Sequence, residues 1–236
     1  MVSNQVLEGR AARSHELAFA GDGVRLSGQM DYPNSSPLQN HYPLIFILHH
    51  AGCEAREGYQ HFADVGLECG YAVFRWDKRG TGKSGAGGRG STTQDAVNAY
   101  EIALEQPRVD RKHVVILAQG AGTGLLGNSF GLFARIQHPY GVILATNMLD
   151  EEAIKAIDTR VQVLVGQDDW NPWQKYGKNA CDAHNATYRH GASFYVAPYA
   201  DRALRDKRRN PPEFHAGVRA VMRDWLLSLC PTSVSR

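Results

Sequence analysis

Cysteine is scarce. The four thiols, Cys53, Cys69, Cys181 and Cys230, stand far apart in 236 residues, with no C-x-x-C pair. That spacing supports neither a zinc site nor a disulfide framework, so idle or buried thiols are expected. Long apolar runs are missing as well. None approaches the roughly 18–20 residues of a membrane helix, and Met1–Arg13 lacks the apolar core of a signal peptide. A surplus of one charge is also missing: 26 basic residues against 24 acidic ones leave a net charge of +2. No long basic stripe is visible, and the short cluster Arg202–Arg209 reads as a solvated face. These absences set the expectation of a cytoplasmic protein with no membrane or nucleic-acid partner. What is present, 43% hydrophobic and 21% charged residues, suffices for a sizeable core in one α/β domain.

Along the chain, residues 1–14 and 231–236 read as flexible ends around a single domain over 15–230. His15–Ala20 and Val24–Tyr32 flank Gly-Asp-Gly at 21–23, the pattern of an antiparallel hairpin. Short continuous apolar runs follow at Tyr42–Leu48, Tyr71–Trp76, His113–Ala118, Tyr140–Ala145, Val161–Val165 and Ser193–Ala197. Such runs fit strands buried on both faces. Helical spacing lies between them at Tyr59–Cys69, Thr92–Glu105, Gly122–Ile136, Glu151–Ile157 and Pro211–Leu229, with Thr92 or Thr93 as the cap of the second. Strands alternating with helices predict a mostly parallel sheet of about eight strands with helices on both faces.

In such sheets ligands bind beyond the carboxyl ends of the strands. The strand ends read His49-His50-Ala51-Gly52-Cys53, Asp77-Lys78-Arg79-Gly80-Thr81-Gly82-Lys83-Ser84, Gln119-Gly120-Ala121-Gly122-Thr123-Gly124, Gly166-Gln167-Asp168-Asp169 and Pro198-Tyr199-Ala200-Asp201-Arg202. In this order, from His15 to Leu229, they resemble the α/β-hydrolase superfamily, in particular its lidless members of the dienelactone-hydrolase and esterase kind. The resemblance implies a serine on a sharp strand-to-helix turn, a histidine after the last strand, and an acid after the strand before it. It also implies an oxyanion hole of two backbone N–H groups.

Carried over residue by residue, the roles do not all find their groups. The serine position is Gly120 and the histidine position is Arg202. The acid position is Asp169, with Asp168 beside it, and the oxyanion donors correspond to the N–H groups of Ala51 and Ala121. Without the attacking oxygen and its base, ordinary serine hydrolysis is not expected. The resemblance then implies a retained pocket for a small molecule, with Ala51, Gly52, Gly120, Ala121 and Arg202 as ligand-binding residues. His49, His50 and Asp169 are the candidates for proton transfer on a carbonyl compound, as in a lyase, isomerase or cyclase. The alternatives are a catalytically silent binding protein and a hydrolase with an unusual base. An Asp169–Arg202 ion pair is expected where the acid–histidine pair would stand. His215 is read as a capping or surface residue, and Cys53 and Thr123 as packing.

No cofactor or metal is implied. Gly80–Ser84 lacks the glycine at position 77 that a phosphate loop needs. Gly122-x-Gly124-x-x-Gly127 has the look of a dinucleotide fingerprint, but no acidic residue closes the following strand. Its glycines suit close helix–sheet packing. With no cap domain inserted before Val161–Val165, an open pocket is expected. The loop Gly85–Ser91, with four glycines in seven residues, is expected to be a mobile cover over it.

Overall fold

The computed structural model describes residues 13–34, 41–49, 54–169 and 173–230. Strands β1 (Arg13–Ala20) and β2 (Arg25–Tyr32) form the expected antiparallel hairpin. They are followed by β3 (Tyr42–Leu48), α1 (Gln60–Glu68), β4 (Ala72–Asp77) and α2 (Thr92–Leu104). The middle of the chain gives β5 (Val109–Gln119), α3 (Ala121–Ile136) and β6 (Gly141–Ala145). The last third gives β7 (Arg160–Gly166), α4 (Trp173–Thr187), β8 (Ala192–Ala197), the two-residue strands β9 (Arg205–Asp206) and β10 (Glu213–Phe214), and α5 (Ala216–Leu229).

Eight strands make one sheet in the order β1-β2-β4-β3-β5-β6-β7-β8, and β3 to β8 run parallel. The period-two alternation of β3 explains its layers. Leu44, Phe46 and Leu48 point to the face covered by α2 and α3, where Tyr100, Leu126 and Phe133 are buried. Ile45 and Ile47 point to the other face, where Phe62 of α1 and Val218, Met222 and Leu226 of α5 pack. Each central strand is buried on both sides, hence the unbroken apolar runs. No helix among the described residues is long and apolar enough to cross a membrane.

Several expectations need correction. Ser91, not a threonine, caps α2: its side chain accepts from the N–H of Gln94. Glu151–Ile157 is too short and polar for a helix and forms only a single 3-10 turn over Ala153–Ala156. Helix α4 was not expected, because its buried stripe of Ala180, Cys181 and His184 lies among polar residues. The last helix starts at Ala216 rather than near Pro211, because residues 213–214 pair with 205–206 as a small hairpin.

The Gly85–Ser91 segment is held rather than loose. The guanidinium of Arg79 donates to the carbonyls of Asp22 and Gly87 and forks onto Asp95 at 2.6 and 2.9 Å. The Asp22 carboxylate receives the N–H of Ser91 at 2.7 Å. The segment is thereby fastened to the β1–β2 turn.

Candidate active site

The turn after β5 is a strand-to-helix elbow. Gly120 has φ 54° and ψ −121° and directly precedes α3. This is backbone that side-chain-bearing residues adopt only under strain, and glycine adopts it at little cost. The turn is tied from several sides. The N–H of Gly120 donates to the Ala145 carbonyl at 2.9 Å, and the Gly120 carbonyl accepts from Thr123 N–H and Oγ1 at 2.9 and 2.7 Å. A Cβ on Gly122 would lie 2.5 Å from the Leu48 carbonyl oxygen and 2.8 Å from that of His49. The helix start is therefore pressed against the end of β3, and a Cβ on Gly127 would meet Leu149 at 2.6 Å. Two of the three glycines thus serve close packing; Gly124 has open space beside it. Ala121 and Gly122 occupy the first positions of α3, where backbone N–H groups have no partner within the helix.

Thr123 is not available as a nucleophile. It is fully buried, and its hydroxyl both donates to Gly120 and accepts the N–H of Met148 at 3.0 Å. The Sδ of Met148 in turn accepts from Nη2 of Arg202 at 3.4 Å. A chain of contacts therefore runs from the elbow through the segment after β6 to the arginine after β8. Met148 in this chain, and Thr146, whose hydroxyl donates to the Arg202 carbonyl, were not among the expected site residues. Their only local signal is position, just past the end of β6.

Arg202 sits on a loop with a heavily determined backbone. Tyr199 and Leu204 both have positive φ, at 57° and 59°. The Asp201 carboxylate accepts the N–H groups of Ala203 and Arg205 at 2.8 and 2.9 Å. Gly166 lets this loop approach the end of β7: a Cβ there would stand 2.3 Å from the Asp201 carbonyl. At this corner Lys207 pairs with Asp168 at 3.1 Å. Asp169 itself is half-buried just beyond β7.

His49 directly follows β3 and is buried. Its Nε2 lies 2.6 Å from the Trp76 carbonyl, an acceptor only, so that nitrogen carries the proton. The ring packs on Trp76 and Tyr59 at centroid distances of 4.7 and 5.2 Å. Burial lowers its pKa to about 4. These contacts anchor the end of β3. His50, Ala51, Gly52 and Cys53 lie outside the described residues.

His215 caps α5, as expected of it, although it is buried rather than on the surface: Nδ1 accepts from the N–H groups of Gly217 and Val218 at 3.1 and 3.3 Å. Asp77 ties its own turn, accepting the N–H groups of Arg56 and Lys83 at 2.9 Å each. Among the described residues, no group of three His, Cys, Asp or Glu side chains is placed to hold a metal ion.

Known proteins agree with this layout. No curated protein matches the chain in sequence. Solved structures do match in shape. A dienelactone hydrolase from Anabaena variabilis superposes with a TM-score of 0.68 at 13% identity, covering 92% of this chain and 98% of the other. An esterase from Pyrococcus furiosus gives 0.68 at 13% identity, covering 96% of each chain. A CIB-like hydrolase from Thermoplasma acidophilum gives 0.65 at 13% identity, covering 92% of this chain and all of the other. At such identities the likeness is one of fold. The sequence profile of the family Hydrolase_4, described as serine aminopeptidase, S33, matches residues 41–167, more than half of the chain. With an α/β-hydrolase sheet, a strand-to-helix elbow and that profile in agreement, the chain belongs to the Hydrolase_4 family of the α/β-hydrolase superfamily.

Proposed function

We propose that this protein is a non-hydrolytic member of its superfamily. It holds a small carbonyl compound at the elbow and acts on it by proton transfer, as a lyase, isomerase or cyclase does. The observation that carries this reading is Gly120: its backbone has the geometry of a nucleophile turn, and the residue has no side chain. An acyl-enzyme needs an attacking atom at that point. The names of the solved relatives suggest ester or lactone cleavage, and position 120 withholds the hydroxyl for it. The N–H of Ala121 at the start of α3 and that of Ala51 are the oxyanion donors in this reading. Gly120 has no side chain to occupy the space above the elbow, and the fixed charge of Arg202 favours a ligand with an anionic group. Proton transfer falls to Asp169 and His50, with His49 as a positioning residue.

A second reading, a catalytically silent binding protein for the same class of ligand, is favoured by His49. Its buried, neutral ring is committed to Trp76.

The test is a gain-of-function pair. The parent protein is expected to resist a fluorophosphonate probe and to leave p-nitrophenyl acetate intact. The double variant Gly120→Ser with Arg202→His, which restores both missing groups, is expected to be labelled. A labelled parent would overturn the proposal. Small keto acids in heavy water then separate the two readings by NMR. Exchange of the α-protons that disappears in Asp169→Asn supports the enzyme, and saturable binding without exchange supports the silent binder.

A further inference from the structure

A second candidate site lies at the opposite end of the sheet. There the amino ends of β5 to β8 leave two adjoining depressions of about 430 and 320 Å³ that share Arg160 and His190. Both volumes fall within the roughly 300–1,000 Å³ of small-molecule sites. Arg189 lines the larger and Lys112 the smaller. Arg160, Arg189 and Lys112 are all exposed, and none of them makes an ion pair among the described residues. The carboxylate on this lining, Asp158, faces His190 at 3.8 Å. Three fixed cations against one carboxylate leave an excess of two positive charges.

Arg160 stands on an aromatic wall. The guanidinium of Arg160 lies over the Tyr140 ring at 5.6 Å, and His113 meets that ring edge-on at 5.2 Å. His190 stacks on Tyr188 at 5.1 Å with the planes 15° apart. Trp225 and Ser228 of α5 close the side of the larger depression. Stacking restricts a guanidinium before any ligand arrives, so less entropy is lost on binding. Planar guanidinium groups free of carboxylates match phosphate oxygens two at a time.

We propose that this groove binds a small molecule bearing two linked phosphate groups. Arg160 sits between the two anionic groups, Arg189 contacts one and Lys112 the other. The excess of two positive charges calls for an anion, and the pair of depressions joined at one arginine calls for a two-headed ligand rather than a single phosphate. The site is separate from the elbow, which lies at the carboxyl ends of the strands.

Titration of the full chain with inorganic pyrophosphate by calorimetry, at constant ionic strength, tests this. Saturable binding at one site per chain is expected, with orthophosphate weaker. Arg160→Gln is expected to weaken pyrophosphate by about tenfold or more, since it removes charge-assisted hydrogen bonds. Arg89→Gln removes the same charge from an exposed loop elsewhere and is expected to leave affinity within about twofold. If Arg160→Gln does not fold by circular dichroism, the double variant Arg189→Gln with Lys112→Gln takes its place and is expected to show the same loss. No saturable binding at millimolar pyrophosphate, an undiminished affinity in the groove variant, or an equal loss in Arg89→Gln would each overturn the proposal.

Discussion

The hydroxyl of Thr146 donates a 2.6 Å hydrogen bond to the carbonyl of Arg202, joining the residue after β6 to the loop after β8. Thr146 itself has φ 56°, and its N–H donates to the Leu164 carbonyl at 2.7 Å. With Tyr199 and Leu204 also in the left-handed region, three residues around Arg202 carry backbone strain that the surrounding bonds must hold. Such strain persists only where the structure over-determines it, and it gathers at functional sites. The arginine's place is thus set by the fold rather than by its own side chain.

The elbow should resist any side chain. Replacing Gly120 by alanine puts a Cβ on backbone at φ 54° and ψ −121°, at a cost of about 1–3 kcal/mol. Urea denaturation of the variant checks this. An unchanged midpoint would show that the turn relaxes to another conformation.

The glycines of α3 should divide by their surroundings. Gly122→Ala drives a Cβ to 2.5 Å from the Leu48 carbonyl, so a loss of about 1–3 kcal/mol is expected from overpacking. Gly131 in the same helix has nothing within 4 Å of such a Cβ. Gly131→Ala should therefore stabilise the protein by about 0.5–1 kcal/mol through helix propensity and unfolded-state entropy. Thermal melts of the two variants should move in opposite directions.

A buried ion pair holds the hairpin to the central sheet. Arg75 donates from Nε and Nη2 to Asp31 Oδ2 at 3.2 and 2.7 Å, and both side chains are 3% exposed. Asp31→Ala leaves the guanidinium buried without its counter-charge, which typically costs about 3–5 kcal/mol. Asp31→Ala together with Arg75→Met should recover much of that loss, as a double-mutant cycle would measure.

Acid should weaken the fold partly through His49. Burial holds its pKa at about 4 in the folded protein, against 6.5 ordinarily. The unfolded chain therefore takes up a proton below pH 6.5 that the fold refuses until about pH 4. The stability due to the neutral ring is complete above that window and is lost as the pH falls through it, at up to about 1.4 kcal/mol per pH unit. His49→Gln should flatten the dependence of unfolding free energy on pH in this range. Identical slopes in parent and variant would show that the ring does not contribute.

The layered sheet was legible in the sequence because burial on both faces leaves short, mostly apolar runs, as in β3 to β7. The elbow was legible because an alternating α/β chain puts its functional turns at strand ends, where Gly120 stands as a bare backbone position. Helix α4 was not, because its buried stripe is interrupted by polar residues that face solvent only once the helix lies on β7 and β8. Nor was the contact of Arg202 with Met148. It depends on how Thr146, Gly166 and the strained loop after β8 approach one another. Chain order set which groups reach the carboxyl ends of the strands. Contacts between residues far apart in sequence decided which of those groups touch, since a hydrogen bond or a close backbone approach depends on fractions of an ångström that no residue pattern encodes.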